Sequence, residues 1–269
     1  MLKPFFSILT ITKNCENEIE NTLASVKSQT FTNYEHVVVD GCSKDNTFVK
    51  IKNFQSRKII KKQIRDRNCY EGFNNALKIV KGKFILFLHA GDLFYSRDVL
   101  KNIKKKLYLS TNFLIGGCIY YDNKNKIKRV WDPVSGSINK NNSYKIAHTA
   151  TVVNTKIYKK IGYFNLDYKI SSDTDFLIRL LSQNTDYQNY NGYINYMKLG
   201  GISTNNKYTI QKIAEDIKIY SKYFNIIYAV IMYFKKIFFK INQIQLPFIQ
   251  NKYQKKFKEL KKNLVKYTI

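Results

Sequence analysis

The feature that most constrains this chain is a unit repeated through its first third: a strand-length apolar run that halts near a carboxylate, followed by a helical pattern. Phe84-Ile-Leu-Phe-Leu88 runs without a polar break and stops at His89-Ala-Gly-Asp92. Val37-Val-Val39 stops at Asp40, and a weaker run over residues 58–64 leads to Arg65-Asp66-Arg67. An uninterrupted apolar run of this kind reads as a strand covered on both faces. Between the runs the apolar period becomes helical: Ile19, Leu23 and Val26 share one face, and Phe73, Ala76, Leu77 and Val80 share another. With a first strand over residues 5–12 and a helix from about Asn46, the alternation predicts an α/β fold with a mostly parallel central sheet and flanking helices.

The pattern changes near Phe113. Residues 113–122 and 127–131 read as two strands around a polar turn, a hairpin rather than a crossover. An Asn- and Ser-rich loop over 135–143 follows, then two short helices over 156–161 and 173–181. From residue 205 onward the chain becomes basic and aromatic, with 14 lysines against Glu215, Asp216 and Glu259, a net of +11. This stretch reads as a helical extension. Its longest apolar window, over residues 226–234, ends at Lys235-Lys236 and is too short to span a bilayer, which needs about 20 residues.

The whole chain carries a formal charge of +27, from 46 basic and 19 acidic side chains. Such an excess calls for an anionic partner: nucleic acid, a membrane surface or a phosphorylated substrate. The chain is also crowded with Lys, Asn, Ile and Tyr, a bias that an AT-rich genome produces without selection for charge. Cys15, Cys42, Cys69 and Cys118 lie far apart without a Cys-x-x-Cys pair, so they read as reduced thiols of a cytosolic protein. The opening residues lead straight into a strand and not into a signal peptide, which points the same way.

Where acids are scarce, their positions are informative. Asp40, Asp66 and Asp92 all follow strands, and in an open α/β sheet ligands bind outside the carboxyl ends of the strands. Asp is common in turns because its side chain bonds nearby backbone N–H groups, and that role competes at each position taken singly. Three together suggest a site needing acceptor oxygens, for ribose hydroxyls, a base N–H or a divalent cation.

Here an ordered series of motifs becomes visible. Ser7-Ile-Leu-Thr-Ile-Thr12, Ser25-Val-Lys-Ser-Gln-Thr30 and Val37-Val-Val-Asp-Gly-Cys-Ser-Lys-Asp-Asn-Thr47 resemble the opening motifs of family 2 glycosyltransferases with the GT-A fold. Residues 66–76 (DRNCYEGFNNA) resemble the family's Asp-x-Gly-x-Tyr-Asp-Ala-x-Asn segment, with Asn68 for Gly and Glu71 for Asp. Phe87-Leu-His-Ala-Gly-Asp92 resembles its Leu-Asn-x-x-Asp metal segment, and Ser172-Asp-Thr-Asp175 its acidic acceptor-side motif. The similarity covers roughly residues 4–204.

The resemblance implies a GT-A, Rossmann-like domain and a metal-dependent, inverting glycosyltransferase of bacterial surface polysaccharide or lipooligosaccharide synthesis. Residues 1–112 would form its nucleotide-sugar-binding half, 113–204 its acceptor-binding half, and 205–269 a basic, aromatic helical tail. It implies Mn²⁺ or Mg²⁺ at Asp92, and it places Thr10, Asp40 and Asp66 at the nucleotide and Arg67 (or Arg65) at the diphosphate. Gly91 would let the backbone approach the phosphates. Asp173 matches the general base, with Asp175 as the alternative; a helix cap is a compatible role for Asp173. His148 would contact metal, phosphate or acceptor, His89 would bond the strand-end turn, and Gly200-Gly-Ile-Ser-Thr204 would border the site. UDP is the preferred carrier, and the acceptor would be a glycan or a lipid-linked glycan.

The tail fits an interfacial helix on anionic lipid, or else a helix packed on the catalytic domain with a solvated lysine face. The first would make a cytoplasmic enzyme peripheral on the inner face of the cytoplasmic membrane. A nucleic-acid-binding protein is the rival from charge alone, but no binding module is recognisable and strand-end carboxylates would repel phosphates. A degenerate transferase that binds nucleotide without turnover is the other rival, resting on Asn68, Glu71, His89 and Ser172. No nucleic-acid partner is therefore expected.

Overall fold

The computed structural model describes residues 3–108, 110–183, 186–201, 206–244 and 247–267. Four parallel strands make one side of its sheet: β1 (Phe6–Thr12), β2 (Tyr34–Asp40), β3 (Ile59–Gln63) and β4 (Phe84–Phe87), in the order 3-2-1-4. β1, β2 and β4 are buried throughout, which is why they appear as unbroken apolar runs. β3 lies at the edge, half-buried, and carries Lys61 and Lys62, a charged rim that discourages further strand pairing. Between the parallel strands run α1 (Ile19–Lys27), α2 (Thr47–Asn53) and α3 (Cys69–Leu77). Thr12 pairs with Asp40, and Asp40 with Gln63, so the loops after β1, β2 and β3 emerge at one end of the sheet.

The parallel arrangement expected from the sequence holds from β3 to β4, and beyond it the sheet is mixed. β4 pairs antiparallel with β8 (Thr151–Asn154), and β8 pairs antiparallel with β6 (Phe113–Tyr121). β6 forms the expected hairpin with β7 (Ile127–Trp131) and also pairs in parallel with β9 (Tyr187–Lys198). A two-residue strand, β5 (Leu93–Phe94), pairs antiparallel with β9. Strands β5, β8 and β9 give little sequence signal: two are very short, and β9 is rich in Tyr and Asn and largely half-exposed.

The remaining helices are α4 (Val99–Lys106), α5 (Thr155–Ile161), α6 (Ser172–Leu181), α7 (Thr209–Tyr223), α8 (Ile226–Ile241) and α9 (Pro247–Leu264). One core layer, including Phe73, Phe87, Phe164 and Phe176, packs α3 and α6 on the sheet; Phe6, Phe84, Leu100 and Ile103 belong to a second. The C-terminal helices are packed onto this body. Ile219 and Tyr220 of α7 and Ala229 and Met232 of α8 bury against Ile178, while Phe257 and Leu264 bury with Ile19, Tyr121 and Tyr196. The other face of α8 is bare: Ile227, Ile231, Phe234, Phe238 and Ile241 are all exposed.

Candidate active site

A cleft of about 940 Å³ opens where the strand-end loops converge. Ile11 to Cys15 at the end of β1 and just beyond it, Asp66 to Tyr70 before and within α3, and His89, Ala90 and Asp92 after β4 form one end. The other end is lined by Tyr120, Arg129 and Trp131 of β6 and β7, by Ser143, Tyr144 and Ile146 to His148, by Asp173 of α6 and by side chains of α7 and α8.

At the first end Asp66 and Glu71 are already paired within the protein. Asp66 is buried, and its Oδ1 accepts from Lys13 Nζ at 3.0 Å. Two glycines make room for it: a Cβ on Gly41 would collide with Asp66 Oδ2, and one on Gly72 would lie 3.1 Å from the same atom. Asn68 caps α3 by accepting from Glu71 N at 3.0 Å, while Glu71 accepts from Arg67 N at 2.6 Å. The two departures from the family segment thus form a helix cap, with Arg67, largely exposed on the cleft wall, paired to Glu71. Asp40 does not line the cleft. Its Oδ2 accepts from Ser43 N at 2.9 Å and Gln63 Nε2 at 3.0 Å, and Ser43 Oγ donates to its Oδ1. Thr10 is likewise beneath the floor, its hydroxyl donating to Leu88 O at 2.7 Å and accepting from His36 Nε2 at 2.9 Å. Thr12, two residues on, reaches the wall with a buried hydroxyl that has no partner among the described residues.

Asp92 is held by the backbone on both sides. Its Oδ2 accepts from His89 N at 3.3 Å and its Oδ1 from Lys198 N at 3.0 Å. Helix α1 fixes this turn, since Gly91 N donates to Thr22 Oγ1 at 2.9 Å and Thr22 Oγ1 donates to Asp92 O at 2.9 Å. Gly91 has φ +95°, which favours glycine, and an added Cβ would press on the Lys198 side chain at 3.0 Å. Burial pushes the Asp92 carboxyl up to about 7, against the two N–H bonds that lower it.

Asp173 and Asp175 part company. Asp173 faces the cleft; its Oδ1 accepts from Thr174 N at 2.9 Å and, at 3.2 Å, shares the Tyr70 hydroxyl proton with Ile170 O at 2.7 Å. Its Oδ2 has no hydrogen bond among the described residues. It lies inside the first turn of α6 and the capping position belongs to Ser171, so Asp173 is not the cap. Asp175 is buried away from the cleft, with Arg179 Nε at 2.8 Å and Tyr223 Oη at 2.8 Å, and ties α6 to α7.

His148 and His89 both line the cleft with their rings nearly parallel to Phe73, at centroid distances of 6.0 and 4.8 Å. Burial drops the pKa of His148 to about 4, and its Nε2 is buried without a partner among the described residues. A neutral imidazole with an open nitrogen can ligate a metal. Each Asp92 oxygen also keeps a second lone pair beyond its N–H bond. No group of three or more His, Cys, Asp or Glu side chains suited to a metal occurs among the described residues. Asp92 and His148 are cleft residues whose oxygen and nitrogen atoms remain available to a ligand.

Several residues of the cleft carry no sequence signal. Lys13, Arg129, Lys212, Lys236 and Lys240 line it, but each is one basic residue among 46. For Lys236 and Lys240 a trace exists: they share the face of α8 that buries Ala229 and Met232. Gly200 and Gly201 lie on the wall, whereas the rest of that expected loop, 202–204, falls outside the described residues.

Comparison with known proteins decides the family. The model for "Glycosyl transferase family 2" matches residues 7–178. The chain belongs to this family. A PGL/p-HBAD biosynthesis glycosyltransferase of Mycobacterium bovis is 28% identical over 223 residues, covering 76% of this chain and 80% of that protein. A UDP-Glc:alpha-D-GlcNAc-diphosphoundecaprenol beta-1,3-glucosyltransferase of Escherichia coli is 28% identical over 135 residues, 50% of this chain and 53% of that one. Among solved structures, S. aureus TarS 1–349 with UDP-GlcNAc has a TM-score of 0.62 at 21% identity, covering 80% of this chain and 65% of that one. In another crystal structure of S. aureus TarS 1–349 the matched part spans 60% of the TarS chain. A Pyrobaculum calidifontis mannosyltransferase with GDP-Man and Mn²⁺ has a TM-score of 0.59 at 12% identity, covering 99% of this chain and 87% of that one. The GT-A fold and glycosyltransferase activity follow for this family 2 member.

Proposed function

We propose that this glycosyltransferase inverts the anomeric centre as it moves a sugar from a nucleoside diphosphate, UDP by preference, to a glycan or lipid-linked glycan of surface polysaccharide or lipooligosaccharide assembly. The observation that carries the reading is the division of labour between two carboxylates in one cleft. Asp92 is buried and gripped by backbone N–H groups, as a fixed anchor should be; Asp173 offers an open oxygen on the acceptor side. Inversion by single displacement needs one base, and Asp173 Oδ2 is free to take the acceptor hydroxyl proton while Tyr70 and Thr174 orient the group. Asp175, with both oxygens engaged, is less suited to the task. Asp92, with His148 as a further candidate, would hold Mn²⁺ or Mg²⁺. Such a cation offsets charge developing on the departing diphosphate. Structural neighbours solved with UDP-GlcNAc and with GDP-Man and Mn²⁺ support the donor and metal classes.

The bare stripe of α8 supports peripheral membrane binding. Its exposed Ile227, Ile231, Phe234, Phe238 and Ile241 recur at helical spacing beside the exposed Lys235, a pattern suited to anionic lipid. No helix among the described residues is long and apolar enough to cross a membrane. Phe234→Ser with Phe238→Ser should weaken binding to phosphatidylglycerol vesicles without lowering stability; unchanged binding would refute the assignment.

A thermal-shift screen of nucleotide sugars with and without Mn²⁺ tests the donor, since a ligand of the folded state raises apparent stability. Metal-dependent release of nucleoside diphosphate from the stabilising donor is the expected second result. A shift without any release, across acceptors, would indicate a nucleotide-binding protein without turnover.

A further inference from the structure

The acceptor end of the cleft holds a second constellation that the transfer chemistry does not use. Arg129, Lys212, Lys236 and Lys240 meet there with Ser143 and Tyr220 on the lining. Among the described residues Asp216 is the carboxylate bonded into the group, and both its oxygens accept from Lys236 Nζ at 2.8 Å. Lys236 also donates to Thr174 Oγ1 at 3.2 Å, next to Asp173. Arg129 lies over the rings of Tyr120 and Trp131, at 3.9 and 5.5 Å, yet its Nε is buried without a hydrogen-bond partner among the described residues. The hydroxyls of Ser143 and Tyr220 are orphaned in the same way. All three unsatisfied groups can donate. Buried donors are seldom left unpaired, because each costs about 1–3 kcal/mol. Their convergence with four cations calls for a ligand rich in anionic oxygen.

We propose that this end of the cleft binds a diphosphate carried by the acceptor, so that the enzyme's acceptor is a sugar linked through diphosphate to a lipid-like tail. The proposal rests on the transferase reading and sharpens its acceptor. The cluster lies beside the base: Lys236 Nζ donates to Thr174 Oγ1, next to Asp173. Asp66, Arg67 and Asp92 line the cleft from the loops after β3 and β4, and Asp173 meets Tyr70 between the two groups at 3.2 Å. Burial and the neighbouring Lys236 and Lys212 drop the pKa of Lys240 to about 6, a cost that a bound dianion would reverse. The opposite face of α8 is the exposed apolar stripe, so one helix presents cations to the cleft and apolar side chains outward. That two-sidedness suits an acceptor whose diphosphate sits in the cleft and whose tail stays in lipid.

The test uses full-length protein and dodecyl diphosphate, with UDP and Mn²⁺ added at saturation to fill the donor end. Dodecyl diphosphate should still bind, and Lys240→Met with Arg129→Met should weaken it tenfold or more while changing UDP affinity by less than twofold. These substitutions keep side-chain bulk, and a melting temperature at or above that of the wild type checks folding. Binding to phosphatidylglycerol vesicles should be unchanged by the pair, which separates a cleft site from general lipid attraction. Competition between dodecyl diphosphate and UDP, or a fall in UDP affinity in the double variant, would overturn the proposal by placing the cluster at the donor. Retained dodecyl diphosphate affinity in the variant would overturn it too. The two readings fail separately: absent UDP binding sinks the donor assignment, and absent diphosphate binding in a UDP-competent enzyme sinks this one.

Discussion

The two ends of the cleft are built on opposite plans. At the proposed nucleotide end most buried polar groups are paired within the protein, Asp66 to Lys13, Asp40 to Ser43 and Gln63, and Thr10 to His36, with the Thr12 hydroxyl an exception among the described residues. At the proposed acceptor end donors outnumber acceptors, and Ser143 Oγ, Tyr220 Oη and Arg129 Nε have no partner among the described residues. A site whose groups bond one another is preorganised and needs no ligand to hold its shape. A site with unsatisfied donors gains most from being filled. Donor recognition should therefore survive changes at the acceptor end, and breaking the acceptor end should show in turnover before it shows in nucleotide binding.

The largest effect should come from Asp173→Asn. Removing a general base costs on the order of 10²–10⁴ in rate. Asn keeps an acceptor for Tyr70 Oη, so UDP affinity should stay within about twofold of wild type by calorimetry. Near-normal turnover would refute the base assignment; a lost UDP site would refute the separation of the two ends.

Next comes Glu215→Ala, which tests whether α7 belongs to the catalytic machinery's support. Glu215 accepts from the backbone N–H groups of Lys169, Ile170 and Ser171 at 3.1, 2.8 and 2.9 Å. These residues lead into the turn that presents Asp173. Stranding the two buried N–H groups of Ile170 and Ser171 should cost about 3 kcal/mol, given about 1–3 kcal/mol per unsatisfied group. Urea unfolding should show that loss, with kcat falling more than UDP affinity. An unchanged midpoint would mean that the segment before α6 needs no anchor from α7.

A smaller effect strikes only the nucleotide end. Gly41→Ala puts a methyl group 2.8 Å from Asp66 Oδ1 and 2.9 Å from its Cγ, so the Asp66–Lys13 pair must shift. A tenfold loss of UDP affinity, about 1.4 kcal/mol, is expected. Dodecyl diphosphate binding should be unaffected, and equal loss of both would collapse the distinction drawn here.

The contrast between the ends also explains what the sequence disclosed. β1, β2 and β4 are buried on both faces, so their apolar runs are continuous and easily read, and Asp66 and Asp92 stand out because acids are scarce. Thr10 and Asp40 show the limit of that reading, since a motif gives a position along the strand but not which groups neighbours will claim. β9 is half-exposed and its Tyr and Asn residues pair across chain distances that no local pattern reports. Lys240 and Arg129 were hidden for a different reason. In a chain with 46 basic residues, only burial distinguishes a lysine in a cleft from one on the surface.

The smallest effect per unit of condition lies under the nucleotide end, in the pH dependence of folding. His36, on β2 between β1 and β3, is buried with Nε2 donating to Thr10 Oγ1, and burial drops its pKa to about 3. An unfolded histidine titrates near 6.5, so between about 6.5 and 3 the unfolded chain holds a proton that the folded one refuses. Stability from this residue is thus complete above pH 6.5 and falls as the pH drops, by roughly 1.4 kcal/mol per unit. His36→Gln keeps a donor for Thr10 and removes the titration. Urea midpoints measured from pH 7 to 4.5 should therefore fall less steeply in the variant than in the wild type. Parallel slopes would show that a proton can enter the floor of the nucleotide end, and that its closed network is not the barrier to charge that the hydrogen bonds imply.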